Sequence, residues 1–276
     1  SLSLTWELLD GALRRACAVA GTFEGHPFTA EALTYLLHED RYTVGDLIVG
    51  MLQRSLATAV EDGRFQQHTL IAEFANEQIE DRATIEERMA DYYCSLAHFR
   101  RSEISRLESE WPLLRRTLHR LAASRQDLRL LTMVEDLTPT WFGKGNYTEA
   151  REGLGLAVPA ARKLDDHTQY VRIMNDLARA CIEQADFDEA LEHLDETQAI
   201  ADQTNEMTFR ADALILRGRV EIERAEFDAA QAHFAEARRI KESLGEEDSV
   251  ALALYFEADI PYYARDYVRA QEMAMQ

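Results

Sequence analysis

Apolar positions in the second half of the chain recur with a period of 40 residues. One short pattern, an aromatic residue followed three positions later by alanine, occurs four times. Its aromatic members are Tyr147, Phe187, Phe227 and Tyr267, and its alanines are Ala150, Ala190, Ala230 and Ala270. The spacing of apolar residues within each period is helical. A period of this length that holds two helical segments predicts stacked helical hairpins in an α-solenoid.

The period divides residues 127–276 into four units, each with two helices. The aromatic and alanine residues open the second helix, whose next buried positions are Leu154, Leu194, Phe234 and Ala274. Pro261 falls inside the first helix of the fourth unit and is expected to bend that helix or delay its start. Because the sequence stops during the second helix of this unit, we expect a truncated last repeat and a longer parent protein.

The repeats resemble the tetratricopeptide repeat in a long form of about 40 residues. The third unit carries the resemblance best, through Gly218, Ala225, Phe227, Ala230, Phe234 and Ala237. The resemblance implies a concave groove that is lined by first-helix side chains. Its expected occupant is a protein or peptide, with a small-molecule inducer as a further candidate.

The helical phase predicts which side chains face this groove. They are Arg172, Asn175, Arg179 and Glu183 in the second unit, Asp212, Ile215, Arg219 and Glu223 in the third, and Tyr255, Asp259, Tyr262 and Tyr263 in the fourth. Arg179 and Arg219 share one phase, so they would line one wall and suit a carboxylate or phosphate group. The alternative is that each arginine pairs with the glutamate four residues later in its own helix.

The first eighty residues have a different pattern. Trp6, Leu9, Leu13 and Cys17 trace one face of a first helix, and Thr29 is placed to cap a second. The segment from Thr43 to Asp46 has the spacing of a capping box before a third helix.

After these helices, the apolar period changes from helical spacing to alternation. Leu56, Thr58 and Val60 alternate before Asp62 and Gly63, which are typical of a tight turn, and Phe65 and Gln67 follow on the other side. Three helices followed by a hairpin predict a winged-helix domain over residues 1–80. Residues 81–126 then form a helical linker, so the fold class is mainly α.

Two segments of this region resemble STAND-class signal-transduction NTPases of the NB-ARC type. They are FQQHTLIAEFANEQI (65–79) and ISRLESEWPLLRRTLHRL (104–121). The resemblance implies that His68 contacts the phosphates of ADP or ATP bound to a separate nucleotide-binding domain. The alternative role for His68 is a hydrogen bond at a strand-to-helix junction.

The chain has a net charge of −20, and residues 1–80 carry 5 arginines against 12 acidic residues. Such a surface repels phosphate backbones, so nucleic acid is an unlikely partner. The segment from Thr43 to Leu52 contains no lysine or arginine, which also disfavours a DNA-binding transcription factor. Arginines in the linker, among them Arg100, Arg116 and Arg120, are expected to pair with the interleaved glutamates Glu103, Glu108 and Glu110.

The sequence contains no residue set that is typical of an enzyme. A phosphate-binding loop, a histidine-rich zinc motif and a serine nucleophile motif are all missing, so we predict no catalytic residue, metal or cofactor in this chain. Its three widely spaced cysteines are expected to be buried and reduced. With no long apolar run, the chain is predicted to be cytoplasmic and not to bind a membrane.

The leading hypothesis is therefore a regulatory and sensor fragment. Its repeats would bind a partner or inducer, and its winged helix would couple this event to the nucleotide-binding domain. The alternative is a self-contained adaptor whose repeats only hold other proteins together.

Overall fold

The computed structural model describes residues 2–101, 103–164 and 166–264, and these residues are helical apart from a short hairpin. Clustering of contacts divides the chain into two compact units, Ser1–Ser124 and Arg125–Gln276. Each helix among the described residues is too short or too polar to span a membrane.

The first unit opens with four helices. The predicted first helix is wrong in one respect, since residues 8–10 interrupt it and Asp10 caps a second helix by accepting a hydrogen bond from the Leu13 amide at 2.8 Å. Thr29 caps the next helix as predicted, with its hydroxyl 3.1 Å from the Ala32 amide. The helices are α1 (Leu2–Glu7), α2 (Gly11–Ala20), α3 (Ala30–Leu37) and α4 (Arg41–Gln53).

Helix α4 begins earlier than the sequence predicts. Its cap is Asp40, which accepts hydrogen bonds from the amides of Tyr42 and Thr43, so Thr43 lies inside the first turn. The prediction failed because Asp40, three residues upstream, is itself a favourable N-cap and starts the helix one turn earlier. Val44, Ile48 and Met51 form the buried face of the helix.

A two-stranded antiparallel hairpin follows α4, as predicted. Asp62 and Gly63 form its turn with φ values of 57° and 67°, the left-handed backbone that tight hairpins require. Phe28 extends the hairpin through a pair of backbone hydrogen bonds with Phe65. The strands are β1 (Thr58–Ala59) and β2 (Phe65–Gln66).

The segment that the sequence assigns to a linker packs on the first unit, so the compact unit ends at Ser124 and not at residue 80. Arg64, which follows the hairpin turn, forms a 2.9 Å ion pair with Glu110, and the two side chains are only 10% and 3% exposed. Arg64 also donates to the backbone carbonyls of Ser109 and Pro27. The helices of this part are α5 (Thr69–Glu77), α6 (Arg82–Arg100), α7 (Ile104–Ser109) and α8 (Trp111–Ala123).

Arginines of this segment bind acidic residues, but most of the partners differ from those predicted. Arg100 pairs locally with Glu103, whereas Arg116 pairs with Glu24 at 3.0 Å. Arg120 pairs with Glu86 of α6 at 3.2 Å. Helix α8 packs against α6, and its Arg116 reaches the loop after α2. The arginines of α8 therefore contact other elements of the first unit.

The second unit has the predicted 40-residue helical period. Its first helices are α9 (Asp127–Lys144), α11 (His167–Glu183), α13 (Met207–Glu223) and α15 (Glu247–Tyr263). Its second helices are α10 (Tyr147–Leu164), α12 (Phe187–Thr204) and α14 (Phe227–Leu244). Helix α15 starts in register and continues through Pro261, so the predicted late start is wrong. The proline lies in the last turn, where it interrupts little of the helix. The second helix predicted for the fourth unit, with Tyr267, Ala270 and Ala274, lies outside the described residues.

Close helix approach within the repeats depends on small residues. Leu154, Leu194 and Phe234 are buried at the predicted positions. A Cβ atom at Gly218 would lie 2.6 Å from the ring of Phe234, so glycine is what lets the ring pack against α13.

Candidate functional site

A cavity of about 580 Å³ lies within the second unit, along its first helices. Helices α9, α11, α13 and α15 supply most of its lining, and Leu154 of α10 completes the floor. The lining apolar residues are Leu131, Val134, Pro139, Leu154, Ile173, Ile215, Leu216, Leu252 and Phe256. An apolar enclosure with a small set of polar groups is typical of ligand sites in proteins.

The structure brings together six of the twelve residues predicted for the groove. They are Arg172, Asn175, Arg179, Asp212, Ile215 and Arg219. Tyr255 and Tyr263 do not line the cavity and are more than half exposed. At this end Phe256 takes the lining position, because its ring stacks on Phe234 at 5.4 Å and its neighbour Tyr255 is turned outward.

Arg179 and Arg219 have different partners despite their shared phase. The Arg179 guanidinium lies over the Phe142 ring, 4.2 Å from its centroid. The Arg219 guanidinium forms a 2.6 Å ion pair with Glu183 of the preceding repeat. The predicted pairs within each helix are therefore wrong, because the adjacent repeat offers a partner to both side chains. Among the described residues, Arg179 has no carboxylate partner.

Asp212 belongs to a network at the edge of the cavity. The ammonium group of Lys241 contacts Asp212 and Glu246, each at 2.7 Å, and the lysine side chain is only 2% exposed. Burial disfavours the charged lysine, but the hydrogen bonds to the two carboxylates outweigh this effect and raise the pKa of Lys241. Burial raises the pKa of Asp212, although the hydrogen bond from Lys241 opposes the change. Asp212 thus already has a cationic partner.

Asp176 is a cavity residue that the sequence analysis missed. It is partly buried, and it makes no hydrogen bond or ion pair with any described residue. Burial raises the pKa of its carboxyl to about 6, although Arg179 and Arg172 act in the opposite direction. The repeat phase gave no clear signal, since the equivalent position one period earlier is Asp136 and those one and two periods later are Leu216 and Phe256.

Asn175 and Arg172 have weaker local partners. The side-chain oxygen of Asn175 accepts a hydrogen bond from the Thr197 hydroxyl at 3.1 Å. Arg172 lies 3.8 Å from Glu135 across the mouth of the cavity, and both side chains are well exposed. An exposed pair of this length adds little stability, so Arg172 is available to a ligand.

His68 lies in the first unit, at the start of α5. It is the N-cap of that helix, and its Nδ1 atom accepts a hydrogen bond from the Leu70 amide at 3.3 Å. The histidine ring is otherwise exposed. His68 therefore makes the hydrogen bond expected at the strand-to-helix junction, and its contact with a nucleotide stays a prediction.

One cluster of metal-ligand types occurs among the described residues. The ligand atoms of Cys181, Glu189 and His193 all lie within 4.8 Å of one another. Arg151 donates to Glu189 at 2.5 Å, so this carboxylate already has a cationic partner. Burial raises the pKa of the Cys181 thiol to about 11, so the thiolate form is disfavoured. We assign these residues to packing between α11 and α12.

The match to a protein-family profile supports the repeat architecture of the second unit. The tetratricopeptide repeat family profile matches residues 142–203. A structural match is the crystal structure of a Signal Transduction ATPase with Numerous Domains (STAND) protein with a tetratricopeptide repeat sensor from Pyrococcus horikoshii, at 15% identity and a TM-score of 0.47. The alignment covers 99% of this chain and 45% of that protein, so the chain spans less than half its length. No curated protein sequence matches the chain. The second unit therefore contains tetratricopeptide-like helical repeats in a solenoid array.

Proposed function

We propose that this chain is the non-catalytic sensor part of a cytoplasmic STAND-type regulator and that its repeats bind a protein, a peptide or a small inducer. The observation that carries the proposal is the cavity of about 580 Å³, to which the first helices of four successive repeats contribute. Its volume falls within the range of small-molecule sites, and its apolar lining is interrupted by a few charged groups. A ligand that contacts several of these helices favours the helix arrangement to which it binds best.

The first unit would couple this event to a nucleotide-binding domain that holds ATP or ADP. Support comes from the order of helices α2, α3 and α4 before the hairpin, which fits a winged helix, and from the two segments that resemble STAND proteins. The exposed ring of His68 would contact the phosphates. The gene upstream of Ser1 tests this part, since a strand, a glycine-rich Lys-Ser/Thr loop and a helix should be encoded there. Absence of that segment would leave an adaptor as the better proposal.

Two leucines of α15 provide a matched test of the cavity. Leu252 lines it and Leu254 does not, yet the two side chains are 47% and 46% exposed. In a thermal-shift screen of peptides and metabolites, hits on the wild-type chain should disappear with Leu252→Trp, because the indole fills the cavity. They should persist with Leu254→Trp. Equal responses of the two variants would place ligand binding outside the cavity and reject the site.

A further inference from the structure

Among the described residues, some charged side chains that line the cavity have ion-pair partners, and others do not. Arg219 is paired with Glu183, Asp212 with Lys241, and Arg172 loosely with Glu135. Asp176 differs from the other acids, since no described residue donates a hydrogen bond to it. A partly buried carboxylate without a protein donor takes its hydrogen bonds from water or from a ligand.

The nearest cationic side chain, that of Arg179, does not form an ion pair with Asp176. Arg179 follows Asp176 by three residues on α11 and lowers its pKa through space. Its guanidinium is nevertheless engaged with the Phe142 ring, and the two side chains form no ion pair. The cavity therefore holds a carboxylate without an ion-pair partner among the described residues, and its lining combines apolar side chains with Arg172 and Arg179, which act on Asp176 only through space.

We infer that Asp176 binds a protonated amine on the ligand of this cavity and that the attached apolar body packs against the lining of α9 and α13. The inference rests on the proposed function and deepens it, because it names the chemical class of the ligand. A charge-assisted hydrogen bond in a site with little water is worth more than a neutral one, so the amine would supply much of the specificity. The amine can belong to a small molecule or to the N-terminus of a peptide.

Binding of a cation at Asp176 should depend on pH. The pKa of the free carboxyl is raised to about 6, and a bound cation favours the charged form, so binding releases a proton near this pH. Other charged groups face the cavity from α9 (Glu135), α11 (Arg172 and Arg179) and α13 (Asp212 and Arg219), whereas α10 and α15 contribute Leu154, Leu252 and Phe256. The affinity should fall about tenfold between pH 7.5 and pH 5, because most of the carboxyl is then protonated.

The experiment uses probes that share one apolar body and differ in charge. They are 2-phenylethylamine, 2-phenylethanol, 3-phenylpropionate and a tripeptide amide with a free N-terminal phenylalanine. Each is titrated into the full chain, and the dissociation constant is taken from NMR chemical shifts. The amine should bind best, and Asp176→Asn should weaken it about tenfold or more and remove the pH dependence. Glu192→Gln, a change of the same type on the exposed face of α12, should have no effect.

The outcomes separate this inference from the proposed function. If the neutral or anionic probe binds as well as the amine and Leu252→Trp blocks it, the cavity is a ligand site but the inference is wrong. Retention of the pH dependence in Asp176→Asn would also overturn it and would indicate Asp212 instead. If no probe binds at millimolar concentration, the amine inference is wrong, and the comparison of Leu252→Trp with Leu254→Trp decides the proposed function on its own. Tighter binding of the tripeptide than of 2-phenylethylamine would identify the amine as a peptide N-terminus, and the reverse would identify a small molecule.

Discussion

The two units of this chain use polar contacts differently. In the first unit, single contacts join elements that are far apart in sequence, such as the buried pair between Arg64 and Glu110. In the second unit, similar ion pairs recur between neighbouring repeats, as in Arg219 with Glu183 and Arg224 with Asp188, and these are more exposed. Loss of one contact should therefore have very different consequences in the two units.

This difference follows from architecture. A stack of similar repeats is stabilised by many neighbour contacts of about equal strength, so each one contributes a small share. The first unit contains unlike helices and a short hairpin, and it relies on a few contacts to hold them in place. The Arg64 side chain contacts both the junction of α7 and α8, through Ser109 and Glu110, and Pro27 in the loop before α3.

The largest expected effect is that of Arg64→Met. The change leaves Glu110 buried without its cation, which should lower the free energy of unfolding of the first unit by about 3–5 kcal/mol. Urea unfolding gives this value, and hydrogen-exchange mass spectrometry shows which unit loses protection. The expected loss of protection is confined to residues 1–124.

Two controls sharpen this prediction. Arg15→Met breaks the exposed pair with Glu39 in the same unit and should cost less than about 1 kcal/mol. The double variant Arg64→Met with Glu110→Leu removes both charges and should recover much of the loss. Equal effects of Arg64→Met and Arg15→Met would contradict the view that the first unit depends on its buried pair.

A smaller effect is expected for Gly218→Ala in the repeats. The added methyl group would meet the Phe234 ring at 2.6 Å, and such overpacking costs about 1–3 kcal/mol. Gly155→Ala is the matched control, because Gly155 is helical and exposed and its Cβ would meet nothing within 4 Å. That variant should be more stable by about 0.5–1 kcal/mol. Thermal unfolding followed by circular dichroism measures both, and a stabilising Gly218→Ala would show that the packing at Phe234 is loose.

The sequence predicted the repeats well and the first unit less well, for a physical reason. A pattern that recurs every 40 residues averages out local exceptions, so even Pro261 did not displace α15. In the first unit each element occurs once, and a single competing cap at Asp40 moved the start of α4. The attachment of residues 81–123 to this unit depends on pairs such as Arg116 with Glu24, whose distance in sequence leaves no periodic signal.

The candidate site was predicted in its location but not in its chemistry. Helical phase placed Arg179 and Arg219 on the cavity wall. Their partners lie on adjacent repeats, and phase within one helix does not give these contacts. Asp176 was missed because it lies outside the predicted groove phase, at a position that later repeats fill with apolar residues.

The smallest expected effect concerns the turn between the two helices of a repeat. Gly145, Ala185 and Ala225 occupy equivalent positions with φ of 72°, 61° and 60°, so two units hold alanine in a left-handed backbone that favours glycine. Ala225→Gly should raise the free energy of unfolding by about 0.5–1 kcal/mol. Ala199→Gly, at an exposed position inside α12, should lower it by about 1 kcal/mol. If the two alanine-to-glycine changes shift the free energy of unfolding in opposite directions, the backbone conformation at each position determines its effect on stability. If both variants were destabilised, the turn at Ala225 would not have the left-handed conformation in solution.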